Sequence, residues 1–203
     1  MINKKIKLGI YGGTFNPPHI AHVRAAELFY EAVKPDKLLI IPDFLPPHKQ
    51  FSGTVTPQER LEMCEIAFSH IPNVTVSDTE IKRGGKSYTA VTLEELSAEN
   101  TELYFLVGTD MILTMDSWYM PEKIFELATI CYIRRESDRD ITEKLAERSE
   151  YYKTKYGARI IFIDAEPLAV SSTDIREALL KGCKSELLSP KINDYIAEKG
   201  LYR

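Results

Sequence analysis

Six short apolar runs punctuate the 203-residue chain and restrict its fold more than any other feature: Ile6–Tyr11, Leu38–Pro42, Val74–Val76, Leu103–Val107, Thr129–Ile133 and Ile160–Ile163. Runs this short and this continuously apolar suit strands covered on both faces. Between them, apolar residues recur at spacings of three and four, the period of a helix. The first such segment starts at Ile20, carries Ala21, Ala25, Leu28, Phe29 and Ala32, and stops at Lys34-Pro35-Asp36. Thr56-Pro57-Gln58-Glu59 is a capping box with proline at the first helical position, opening a helix to about Ser69. Further helices are expected over Tyr88–Leu96, over Met111–Trp118 (whole or broken), over Glu122–Leu127 after Pro121, and over Glu136–Tyr156 before Gly157. The last two span Thr173–Lys181, between Ser171-Ser172 and Gly182, and the segment from Ser189-Pro190 to Lys199, closed by Gly200. This alternation predicts an α/β fold: a Rossmann-like doubly wound parallel sheet of about five to six strands with helices on both faces. No repeat or low-complexity linker divides it, so residues 1–203 read as a single domain.

Hydrophobic content of 44% and charged content of 28% describe a chain with a core, not a disordered one. A net charge of −4 argues against bulk electrostatic attachment to nucleic acid or to an anionic membrane, so neither is expected as a partner. Any phosphate-binding charge must therefore be local. Cys64, Cys131 and Cys183 are far apart and form no CxxC pair, which fits reduced thiols of a cytoplasmic protein. Lys4, Lys5 and Lys7 interrupt the amino-terminal stretch, so no signal peptide is read, and no apolar run approaches the roughly 20 residues of a bilayer span. Oligomeric state is not legible; a homo-oligomer stays open.

In parallel sheets ligands sit beyond the carboxyl ends of the strands, and there the chain places its unusual residues. Gly12-Gly13 follows the first run, then Thr14, Phe15, Asn16, two prolines, His19 and His22. Strand, glycine turn and helix start would present backbone N–H groups and a positive helix end to a phosphate. The chain has four histidines; His19, His22 and His48 lie in proline-rich loops after the first two strands, whereas His70 sits at a helix end. His19 and His22 share one face at their spacing. As a metal pair they lack a nearby carboxylate or cysteine at helpful spacing; as phosphate-binding N–H donors they fit better. Neither the six-residue dinucleotide fingerprint nor the lysine-ended P-loop is present. Ser171 and Ser172 open a helix with Arg176 behind them, although Ser172 alone reads equally as an N-cap. Asp110 follows a glycine-ended strand, where it can accept from ribose hydroxyls or cap the next helix.

The stretch GGTFNPPHIAH, Gly12 to His22, resembles the signature of the nucleotidylyltransferase family, which usually has aspartate after the phenylalanine and glycine before the second histidine. Pro46-Pro47-His48-Lys49, Ser87-Tyr88-Thr89, Gly108-Thr109-Asp110, Trp118-Tyr119 and Ser171-Ser172-Thr173-Asp174-Ile175-Arg176 follow in family order, as does the ending Tyr195-Ile196 to Leu201-Tyr202. Together they are similar to the bacterial nicotinate-nucleotide adenylyltransferases over nearly the full length, and imply a sheet of the nucleotidylyltransferase type. The resemblance implies an enzyme of NAD biosynthesis that joins the AMP moiety of ATP to nicotinate mononucleotide, with Mg²⁺ bound through ATP and not by protein side chains. In that picture His19, His22, Lys49 and Arg176 carry the catalysis, with His22 nearest the α-phosphate. Gly12, Gly13, Thr14 and Phe15 let the backbone approach ATP, and Ser171, Ser172 and Arg176 hold its β- and γ-phosphates. His48, Lys49, Thr89, Gly108, Asp110, Trp118 and Tyr119 bind the mononucleotide: Lys49 its phosphate, Trp118 its ring, and Thr89 with the backbone near Tyr119 its carboxylate. Arg134-Arg135 either touches the adenosine half or is solvated. Two residues depart from the pattern: Asn16 removes a negative charge near the triphosphate, and Ala21 adds a methyl to the helix. A relative acting on phosphopantetheine or another small phosphate ester, and a non-catalytic nucleotide sensor, are the alternatives.

Overall fold

All six runs become strands of one sheet in a computed structural model, which describes residues 4–47, 55–133, 139–166 and 170–203. The strands are β1 (Ile6–Gly13), β2 (Lys37–Pro42), β3 (Val74–Val76), β4 (Thr101–Gly108), β5 (Ala128–Ile133) and β6 (Ile160–Ile163). Their order is β3-β2-β1-β4-β5-β6, and every neighbouring pair is parallel. The chain thus winds outward from β1 to β3, returns to place β4 beside β1, and winds the other way. The reversal between β1 and β4 opens a crevice at their carboxyl ends, where such sheets bind ligands.

Helices α1 (Ile20–Val33), α2 (Pro57–Phe68), α8 (Ser172–Leu180) and α9 (Pro190–Lys199) pack one face. Helices α4 (Thr89–Leu96), α5 (Thr109–Ile112), α6 (Pro121–Leu127) and α7 (Arg139–Tyr156) pack the other, and α3 is a short turn over Thr79–Arg83. Along β2, Leu38 and Ile40 enter the first core with Phe29, Met63 and Phe68, while Leu39 and Ile41 enter the second with Leu93, Phe105 and Phe125. That period of two, buried both ways, is why the runs show no polar alternation. Each such side chain, when fully buried, contributes about 1.5–3 kcal/mol before chain entropy is charged against it.

The structure departs from the sequence expectations at several joints. Gly12 and Gly13 are not a turn: they end β1, in register with Ile41 and Pro42. The turn is the segment after them, where Phe15 takes a left-handed φ of 47°. The Met111–Trp118 segment is broken into α5 and a 3-10 turn, Met115–Ser117. Helix α3 was not expected, because five residues are too few to show a period. Ser171, not Ser172, caps α8, its hydroxyl accepting from the N–H groups of Thr173 and Asp174, so Ser172 is the first helical residue. Gly108, not Asp110, is the N-cap of α5. Among the described residues no helix is long and apolar enough to cross a membrane.

Candidate active site

The crevice between β1 and β4 divides into two compartments that share Gly12, Gly13, Thr14, Pro46 and Met111. The polar one, about 510 Å³, is bounded by the β1–α1 turn with His19 and His22, by Gly108 and Asp110, and by the start of α8 with Ser171, Ser172 and Arg176. The apolar one, about 130 Å³, is bounded by Phe105, Trp118, Tyr119, Tyr88 and Thr89.

The shared floor is glycine for two different reasons. A Cβ on Gly13 would meet the Phe15 ring at 3.0 Å, and Phe15 cannot yield, since it is buried edge-on against Tyr11 at 5.3 Å and Phe68 at 5.6 Å. A Cβ on Gly12 would meet only ordinary contacts, Phe105 at 3.7 Å and the Ile41 carbonyl at 4.0 Å. The protein's own packing leaves room at Gly12; a ligand approaching the backbone would not.

His19 is the N-cap of α1 and His22 its third residue. The His19 backbone N–H donates to His22 Nδ1 at 3.3 Å, and the rings stack at 3.7 Å with 25° between planes. Because Nδ1 accepts, the proton of a neutral His22 sits on Nε2, which is a donor. Helix α1 has no acidic residue in its first turn, so its positive end is not neutralised from within. Across the cleft, Arg176 donates through Nη1 to the Asn16 carbonyl at 2.9 Å and through Nη2 to Thr173 Oγ1 at 3.0 Å. Its guanidinium is thereby parked beside the β1–α1 turn rather than in solvent.

The apolar compartment is an aromatic slot with a polar back wall. Tyr88 and Tyr119 face each other at 4.5 Å, and Tyr119 is half exposed at the mouth. Trp118 packs at the border of the second core and lines the slot. Behind Thr89, the first residue of α4, stands a buried group: Thr92 Oγ1 donates to Glu80, and Arg83 Nη2 donates to Thr92 Oγ1 at 2.8 Å. Burial raises the Glu80 carboxyl above its ordinary value, against the pull of the Thr92 and Ser87 hydroxyls and of Arg83. Ser87 in turn accepts from the Phe44 N–H at 2.9 Å, tying this wall to the loop after β2.

Most of the expected site residues therefore meet in one crevice: Gly12, Gly13, Thr14, Phe15, His19, His22, Ser171, Ser172 and Arg176 in the polar half, and Thr89, Trp118 and Tyr119 in the apolar half. Gly108 and Asp110, expected with the mononucleotide, line the polar half, because β4 ends beside β1 on that side. His48, Lys49, Arg134 and Arg135 lie outside the described residues. Sequence reasoning missed Asp43 and Arg60. Arg60, on α2, is wholly buried; it donates to the Thr14 carbonyl at 2.7 Å, to Asp43 Oδ1 at 3.1 Å and to the Asp43 carbonyl at 2.6 Å. Thr14 Oγ1 donates to Asp43 Oδ2 at 2.7 Å. Burial lowers the Arg60 pKa and Asp43 pushes it back up. This knot joins the loops after β1 and β2, and with them the two compartments.

Among the described residues no group of three histidines, cysteines or carboxylates stands together. Among the described residues the polar half offers one carboxylate, Asp110, with hydroxyls and imidazoles. That set suits a hard cation carried in on phosphate oxygens, since Mg²⁺ keeps its waters and takes few protein ligands.

Comparison with known proteins agrees with this reading of the fold. The cytidylyltransferase-like family model matches residues 10–178. A protein of Trichlorobacter lovleyi is 36% identical over 98% of this chain and 100% of its own length, and one of Enterococcus faecalis is 34% identical over 97% and 85%. Both bear the name "probable nicotinate-nucleotide adenylyltransferase". Among solved structures, Plasmodium falciparum nicotinic acid mononucleotide adenylyltransferase, complexed with APC or with NaAD, shares the fold at a TM-score of 0.73, with 21% identity and 97% of each chain covered. The chain belongs to the cytidylyltransferase-like family.

Proposed function

We propose that this chain is a nicotinate-nucleotide adenylyltransferase. The observation that carries the reading is the pairing of a donor-rich compartment with an aromatic slot across one glycine floor, in a chain whose relatives bear that name. ATP lies in the polar half, with its triphosphate against the start of α1, His19, His22 and Arg176. Nicotinate mononucleotide lies with its ring in the slot beside Trp118 and its carboxylate toward the Thr89 hydroxyl. Its phosphate reaches the shared floor beside Pro46.

A phosphate oxygen of the mononucleotide forms a new bond to the α-phosphorus of ATP. The bond from that phosphorus to the bridging oxygen breaks, and pyrophosphate leaves with the electron pair. The nucleophile is already an anion, so no base is needed. The task is to hold two polyanions in line and to stabilise charge moving onto the leaving group. His22 Nε2–H serves the α-phosphate and Arg176, with Ser171 and Ser172, the departing phosphates. Mg²⁺ carried with ATP would supply charge neutralisation there, with Asp110 the carboxylate lining that half.

Pyrophosphate release from ATP tests the reading, with nicotinate mononucleotide, nicotinamide mononucleotide and phosphopantetheine compared as acceptors. Release with the nicotinate compound and formation of nicotinate adenine dinucleotide are expected. Absence of product with either pyridine mononucleotide would overturn it.

A further inference from the structure

Asn16 lies in the polar compartment, yet it is only 8% exposed and both of its oxygens are engaged. The backbone carbonyl accepts from Arg176 Nη1 at 2.9 Å, and Oδ1 accepts from the Tyr202 hydroxyl. Tyr202 comes from the segment after α9, is buried in the first core, and takes a left-handed φ of 58°. A residue 186 positions further along the chain thus anchors one amide at the cleft.

Which end of that amide faces the cleft follows from the chemistry of both sides. With Oδ1 turned inward to the tyrosine hydroxyl, the amide nitrogen is left for the compartment. The reverse rotation would aim a carbonyl oxygen at phosphate oxygens, acceptor against acceptor, with the tyrosine hydroxyl then accepting from the amide. Burial also raises the Tyr202 pKa, against the pull of Arg176 and Arg60, so the hydroxyl keeps its proton and stays a donor at neutral pH. We infer that Asn16 is a further donor to the triphosphate, its amide held by Tyr202 so that the nitrogen meets phosphate oxygens. The inference rests on the placement of ATP proposed above. It assigns a binding role to the residue that departs from the family pattern: where a carboxylate would repel the triphosphate, this chain offers a neutral N–H.

The test is calorimetric binding of α,β-methylene-ATP with Mg²⁺, and separately of nicotinate mononucleotide, to wild type, Asn16→Asp and Tyr202→Phe at pH 8. Asn16→Asp keeps shape and the tyrosine bond while placing a negative oxygen at the cleft. It is expected to weaken the analogue about tenfold, a deficit that shrinks as salt screens the charge. Tyr202→Phe frees the amide and is expected to weaken the analogue about threefold. Mononucleotide binding should stay within about twofold in both. Unchanged or tighter analogue binding by Asn16→Asp would overturn the inference, as would failure of the wild type to bind the analogue. Wild type that binds the analogue but forms no dinucleotide would sink the functional reading and leave this inference standing.

Discussion

Arg60 carries a full positive charge into a place with almost no water, and it is tolerated because Asp43 and three backbone carbonyls meet its donors. Removing the carboxylate alone leaves the charge unpaired. Asp43→Ala is expected to destabilise the protein by about 3–5 kcal/mol, measured by urea unfolding, and the double variant with Arg60→Met to lose less than the sum of the single changes. Nothing in the sequence marks this pair. Arg60 reads as one more charge on a surface helix, and its partners lie 17 and 46 positions away. His19 and His22, by contrast, stand three residues apart in one short turn, a juxtaposition the sequence displays directly. The thiols differ by burial as well. Burial pushes Cys131 up to about 12 and Cys64 well above its ordinary value, while Cys183 is exposed. An aromatic disulfide reagent should therefore titrate a single thiol, Cys183, in the native protein and all three in denaturant; rapid native labelling of Cys64 or Cys131 would contradict the packing.

At the scale of elements, helix termini and one buried wall set the local behaviour. Ser171 caps α8 with bonds of 3.2 and 3.4 Å to the N–H groups of Thr173 and Asp174. Ser171→Ala should cost about 1 kcal/mol in thermal unfolding and raise KM for ATP with little change for the mononucleotide. The wall of α3 and α4 gives a pH signature. Glu80 is raised in the folded state, so between its ordinary value of 4.5 and the folded value the native protein binds more protons than the unfolded chain. Stability from this group is complete below that window and declines as pH rises through it. Denaturant midpoints of wild type should therefore carry a falling component across the window that Glu80→Gln lacks; parallel profiles for the two proteins would count against it. Helix α3 also shows where sequence patterns run out. The long helices and the buried strands announce themselves by period and apolar density. A five-residue turn is held in place by what it touches, here Thr92 and Glu95 through Arg83, and such partners leave no local trace.

For the whole molecule the decisive feature is that strand order reverses between β1 and β4. The alternation of runs predicts a parallel sheet but not which strands are neighbours. Placement of Gly108 and Asp110 therefore depended on a pairing, Tyr11 with Leu106, that only the assembled sheet displays. Once formed, the crevice separates the binding of two substrates into walls from different elements. Arg176 belongs to α8 and the β1–α1 turn; Trp118 follows the 3-10 turn after α5, in a segment held by Arg148 and Tyr152 of α7 through Asp116. The two residues line different compartments. Distant sites that share no partner contribute additively, whereas coupled ones deviate by about 0.5–3 kcal/mol. Arg176→Ala is therefore expected to raise KM for ATP, and Trp118→Ala to raise KM for nicotinate mononucleotide, each by about tenfold or more with the other KM little changed. The double variant should lose kcat/KM as the product of the single losses, within about twofold. Steady-state kinetics on the four proteins measures this. Strong non-additivity would mean that the glycine floor transmits strain between the halves, and that the crevice is a single site instead of two joined at the point of reaction.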